Sequence, residues 1–131
     1  MLVEMSRHYC QMDQHHFDEA TIRAGLAGLL DSDRHGVVWM IGQPEPVGYA
    51  VVTWGWSVEG GGPEALLDEI YVGQAGQGLG TAAVDWIIAD CVRRGVRRVF
   101  LETESHNEAA RRLYARLGFV VEDSMWMSRL L

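Results

Sequence analysis

Residues 66–81, Leu66-Leu67-Asp68-Glu69-Ile70-Tyr71-Val72-Gly73-Gln74-Ala75-Gly76-Gln77-Gly78-Leu79-Gly80-Thr81, decide how the rest of the chain is read. Residues 66–72 are apolar and partly β-branched, with Asp68 and Glu69 in the middle, and predict a strand. Four glycines follow within eight residues, at 73, 76, 78 and 80. Residues 81–94 then place Val84, Ile87, Ile88 and Cys91 on one helical face. A strand, a glycine turn and a helix start bring backbone N–H groups toward one point. Glycine has no side chain to block close approach and adopts positive φ. The helix N-terminus adds unpaired donors and its dipole, so a phosphate is the expected guest.

Several phosphate ligands use such a turn. The dinucleotide fingerprint G-x-G-x-x-G has Thr81 in its third glycine position, although an acid, Glu102, ends the next predicted strand. The P-loop is excluded, since no Gly-Lys-Ser/Thr follows the glycines. A plain surface turn is the other reading of these residues, and the remaining chain must decide.

The 131 residues amount to one domain, and 48% hydrophobic content supports a packed core rather than disorder. A net charge of −7 argues against nucleic acid, which calls for a basic footprint, and fits a cationic partner or simple solubility. Cys10 and Cys91 form no C-x-x-C pair and read as reduced thiols of a cytoplasmic protein. No apolar run approaches 18 residues and no signal-peptide pattern is present, so no membrane partner is expected.

Leu2, Met5, Tyr9 and Met12 recur at helical spacing. Asp18 suits the N-cap of a second helix with Ile22, Leu26, Leu29 and Leu30 inward. Strands are expected at 37–42, 47–57, 66–72 and 97–102, with residues 58–64 a flexible turn. A helix is expected at 107–117, with Gly118 in the C-cap position. Val120 and Val121, then residues 125–131, are expected to close the chain as a hairpin. The order of helices and strands describes an α+β or mixed α/β sandwich around one sheet.

Residues 107–119 supply the second motif, N-x-x-A-x-x-x-Y-x-x-x-G-F, from Asn107 through Ala110 and Tyr114 to Gly118 and Phe119. Alone it is an amphipathic helix with a core tyrosine. Together with Gly76-x-Gly78-x-Gly80 ahead of it, it resembles the paired signatures of the GNAT superfamily of N-acetyltransferases. The resemblance covers residues 37–131 and, more loosely, the two leading helices. It implies one acetyltransferase domain over residues 1–131, with a mostly antiparallel central sheet splayed at the cofactor site and helices on both faces. Acetyl-CoA would enter the splay, its pantetheine pairing with backbone near Ile70 and Val72. Its pyrophosphate would rest on backbone N–H groups of Ala75, Gly76, Gln77, Gly78, Leu79, Gly80 and Thr81. Asn107 matches the residue that hydrogen-bonds the pantetheine, and Tyr114 the tyrosine near the thioester sulfur. A phenol is a fitting acid for a leaving thiolate.

The chain departs from the family in having Ala75 where Arg or Gln usually precedes the first glycine, and in a shorter segment at 72–76. It also begins in a helix where relatives carry a strand, leaving an edge that a second copy could cover in a homodimer.

Asp68 and Glu69 are the candidate bases for an amine nucleophile. Strand alternation puts them on opposite faces, so one is expected to face the acceptor, with Asp68 favoured because the run is similar to the acidic stretch of polyamine-type relatives. Trp54 and Trp56 share a face and read as core or as an aromatic wall for a cationic amine. His8, His15 and His16 read as solvated, and no metal site is expected. The expected function is acetyl transfer from acetyl-CoA to a small cationic primary amine by direct attack in a ternary complex. Acetylation of a protein amine and a coenzyme A-binding regulatory module are the alternatives.

Overall fold

The computed structural model describes residues 1–73 and 78–131. Two helices lead, α1 (Leu2–Met12) and α2 (Glu19–Asp31), followed by β1 (Gly36–Ile41), β2 (Gly48–Ser57) and β3 (Gly62–Val72). Then come α3 (Leu79–Arg93), β4 (Arg98–Leu101) and α4 (Glu108–Arg116). The sheet order is β1-β2-β3-β4. The first three strands are antiparallel neighbours and β4 joins β3 in parallel, which requires the crossover that α3 provides.

Opposite residues in the ladder share a face, and the apolar ones define two layers. Val37, Ala50, Val52, Ala65 and Leu67 pack with Val84, Ile87 and Cys91 of α3 into the main core. The α3 face predicted from sequence is therefore the buried one. The other face carries α1, which lies on β2 and β3 and buries Ser6 and Cys10. The buried Asp90 fastens the end of α3, with Arg93 at 3.3 Å and Arg94 at 2.7 Å. Arg94 also covers the Trp54 ring at 4.9 Å.

Local signals act as read. Asp18 is the N-cap of α2, and the Thr21 hydroxyl donates to its Oδ2 at 2.5 Å. Asn107 caps α4 by accepting the Ala110 N–H at 3.1 Å. Gly118 has φ +92°, and the chain reverses there with Phe119 N–H donating to the Tyr114 carbonyl.

Three expectations are corrected. Leu30 does not join Ile22, Leu26 and Leu29 inward; it is 61% exposed, because α2 lies at the margin of the sheet against β1 and buries no residue fully. Residues 62–64 belong to β3 rather than to a turn, since the ladder runs from Ser57–Gly62 onward. No strand follows α4 among the described residues, so the closing hairpin is absent. An apolar segment becomes a strand only when it finds a ladder, and residues 120–131 make none.

Ile87→Ala is expected to cost about 3 kcal/mol by cavity formation. Leu30→Ala should stay within about 0.5 kcal/mol of wild type. Urea denaturation of the two variants checks the layer assignment.

Candidate active site

The site begins where β3 and β4 part. Their pairing runs from Glu64–Arg98 to Leu67–Leu101 and ends there. Beyond it, residues 69–72 of β3 stay paired to β2 on one side only, with Ile70 opposite Ala50 and Val72 opposite Gly48. Their backbone groups on the β4 side are left without a strand. The ladder to β2 also changes register here. Val52 faces Leu67 and Val51 faces Glu69, so Asp68 is an extra residue in a β-bulge.

A cleft of about 150 Å³ occupies this splay. Tyr9 and Asp13 at the end of α1, Asp68 and Glu69 of β3, and Asn107 and Tyr114 at α4 line it. Both carboxylates therefore border the same space. The expectation that only one could is corrected by the bulge, which interrupts alternation at Asp68, and by the cleft, which opens in the plane of the sheet.

Glu69 is the deeper of the two. Its Oε1 accepts a hydrogen bond from the Tyr49 hydroxyl at 2.6 Å. Burial raises its pKa; the Tyr49 bond opposes that, Asp68 adds to it and His15 opposes it. Desolvation also raises Asp68, which is more exposed than Glu69. Tyr114 is raised by burial and by Asp13, and Tyr9 by burial and then by Asp13, Glu69 and Asp68. Both phenols stay protonated at neutral pH. The Tyr114 ring meets Phe119 edge-on at 5.7 Å, fixing it at the cleft wall. His15 Nε2 lies 3.0 Å from Glu104 Oε1, tying the α1–α2 loop to the segment before α4, and His8 stacks on Tyr71.

The remaining expected site residues divide clearly. Ile70 and Val72 line the cleft, and the Asn107 side chain, whose oxygen is taken by the helix cap, keeps its amide N–H groups. Gly78 holds φ +73° as the residue before α3, with Leu79, Gly80 and Thr81 opening the helix. Ala75, Gly76 and Gln77 lie outside the described residues. Trp54 and Trp56 do not border the cleft. The Trp54 indole N–H donates to the Asp33 carbonyl at 2.9 Å on the α3 side, and Trp56 is 73% exposed near the β2–β3 turn. Tyr9, Asp13 and Tyr49 had not been singled out as site residues. Tyr49 carried a signal, being the one polar side chain in the apolar run 47–52, whereas Tyr9 fitted a packing stripe.

The sequence matches the Acetyltransferase (GNAT) family over residues 2–119. The chain belongs to the GNAT family, and its fold and family support acyl transfer. No curated protein matches it. Among solved structures, an integron cassette protein from the mobile metagenome of Cole Harbour Salt Marsh is 29% identical, with a TM-score of 0.85 over 99% of this chain and 82% of that one. A putative acetyltransferase from Arthrobacter sp. FB24 is 27% identical, with a TM-score of 0.81 over 99% and 88%. A ribosomal-protein-alanine N-acetyltransferase from Brucella melitensis biovar Abortus 2308 shares the fold, with 19% identity and a TM-score of 0.77 over 98% and 89%. No described helix is long and apolar enough to cross a membrane.

The Tyr49 hydrogen bond favours the ionised form of Glu69, so its loss raises the Glu69 pKa further. If deprotonated Glu69 is needed for turnover, Tyr49→Phe moves the acidic limb of the pH–rate profile to higher pH. An unmoved limb would detach Glu69 from the rate-limiting proton transfer.

Proposed function

We propose that the protein transfers an acetyl group from acetyl-CoA to a primary amine on a small cationic acceptor. The observation that carries this reading is the shared cleft, where the Glu69 carboxylate and the Tyr114 phenol border one space at the end of the β3–β4 ladder. The open backbone of residues 68–72 suits the amide groups of a pantetheine arm, and Asn107 keeps an amide donor for it. Ala75 to Thr81 would carry the pyrophosphate, with Gly78 already at positive φ.

In this reading the acceptor arrives as an ammonium, attracted by Asp13, Asp68 and Glu69. Glu69 takes its proton, directly or through a water. The amine nitrogen attacks the thioester carbonyl carbon, the C–N bond forms, the nitrogen releases its second proton to solvent and the C–S bond breaks. The departing thiolate takes the phenolic proton of Tyr114, which solvent then restores. Glu69 is preferred over Asp68 because it is less solvated and is oriented by Tyr49, while Asp68 sits at the mouth. The cleft volume favours a compact amine or a chain end over a bulky acceptor.

Thiol release from acetyl-CoA with polyamines, aminoglycosides and peptides tests the acceptor. Turnover confined to alcohols or neutral peptides overturns the cationic amine, and acetyl-CoA binding without turnover of any acceptor favours a regulatory module.

Tyr114→Phe should lower kcat on the order of 10²-fold, the low end for general acid catalysis, with little change in acetyl-CoA affinity. Unchanged kcat would leave Tyr114 a packing residue. Gly78→Val imposes a β-branched side chain on a positive-φ site, a strain of roughly 1–3 kcal/mol that the turn relieves by leaving its binding shape. Calorimetry should then show acetyl-CoA binding weakened tenfold or more, in line with about 1.4 kcal/mol per decade.

A further inference from the structure

Ser6 lies on α1, where that helix packs on β2 and β3, and it is 1% exposed, as is Tyr49 of β2. A hydroxyl buried to that degree needs a hydrogen-bond partner. Ser6 finds one in the phenol of Tyr49. It also belongs to the face of α1 that borders the site. Ser6, Tyr9, Cys10 and Asp13 stand at i, i+3, i+4 and i+7, and Tyr9 and Asp13, one and two turns on from Ser6, line the cleft.

Counting protons fixes the direction of these hydrogen bonds. The phenol of Tyr49 has one proton, which it donates to Glu69 Oε1 at 2.6 Å. Its oxygen is left as an acceptor, so the Ser6 hydroxyl donates to it. Ser6, Tyr49 and Glu69 thus form a row that crosses from α1 through β2 to β3, with each proton directed at the carboxylate. Bonds to an ionised acceptor are the stronger kind, and each donor polarises the next, so the row favours ionised Glu69. The row has no outlet to water, because Ser6 and Tyr49 are both fully buried. It cannot carry a proton away; it sets how firmly Glu69 holds one.

We infer that Ser6 is a positioning residue for the base, acting through Tyr49 to orient and strengthen the hydrogen bond that keeps Glu69 ionised. The inference rests on Glu69 as the base of the proposed reaction. Other groups also face Glu69: Tyr9 and Cys10 from α1, His15 from the loop after it, and Asp68 on β3 itself. Asp13, Glu102 and Tyr114 border the same cleft. Ser6→Ala alters none of these side chains, so its effect on Glu69 reads the row alone.

The test is an NMR titration of the Glu69 carboxyl carbon, assigned by its loss in Glu69→Gln. It is run on the wild type, Ser6→Ala, Tyr49→Phe and the double variant. Ser6→Ala adds no volume and suits a helix, so the variant should fold, and a thermal melt checks this. The expected result is a Glu69 midpoint moved to higher pH in Ser6→Ala, by less than in Tyr49→Phe, with no further move when Ser6→Ala is added to Tyr49→Phe. The acidic limb of the pH–rate profile should follow the same order. A midpoint unmoved by Ser6→Ala overturns the inference and leaves the hydroxyl bonded within its own helix. An equal move in the Tyr49→Phe background also overturns it, because Ser6 would then reach Glu69 by another route. A midpoint that moves while the limb stays still removes Glu69 as the base, and with it Ser6's part in the reaction, while the hydrogen-bonded row itself stands.

Discussion

Beyond Leu67 and Leu101 the two parallel strands no longer exchange hydrogen bonds, and residues 68–72 keep backbone donors and acceptors that water or a ligand must satisfy. A sheet interior would not tolerate such a gap, so the helices are arranged to keep it open at one end and closed at the other. The α3 face seals the closed end with Val84, Ile87 and Cys91 against Ala65 and Leu67. At the open end the gap is bordered by α1 and α4, which bring Tyr9, Asp13, Asn107 and Tyr114 beside the apolar Met12 and Ala110. Every group assigned a chemical role owes its place to this divergence.

The divergence also concentrates like charge. Asp13, Asp68 and Glu69 share a small, partly desolvated space, and the phenols of Tyr9 and Tyr114 stand among them with their ionisation suppressed. Among the described residues, Tyr49 alone supplies Glu69 with a hydrogen bond. Such a cluster is electrostatically costly in the free protein, and a cation entering it recovers part of that cost. The His15–Glu104 contact spans the same end of the molecule from the α1–α2 loop, so the loop and the β4–α4 connection are held together beside the cleft.

Features set by local spacing were legible in the chain. Val84, Ile87 and Cys91 declared the buried face of α3, Asp18 and Gly118 marked helix ends, and the Asn107 motif marked the helix that borders the cleft. Features set by register were not. The bulge at Asp68 has no glycine or other local mark, so the joint placement of two adjacent carboxylates could not be read from alternation. The Tyr49–Glu69 bond depends on pairing between positions 20 apart in sequence. Tyr9 obeyed the packing stripe of α1, and nothing local shows that the stripe runs out over a cleft. Residues 120–131 have the composition of strands, but composition names no partner, and within one molecule the ladder does not form.

The bulge does more than kink the strand. It is a phase shift: Leu67 continues the parity of one half of β3, and Glu69 begins the parity of the other. Were residue 68 kept and the bulge flattened into regular pairing, everything from Glu69 to Val72 would move one step out of phase. Tyr71 would leave the face it shares with Tyr49 and press into the α3 core, and Ile70 and Val72 would turn from that core toward α1. The half of the strand that builds the core and the half that builds the cleft are thus two separately addressed segments joined at a single residue. Side chains can change on one without disturbing the other, whereas a residue inserted into either regular half would put the rest of that half on the wrong face.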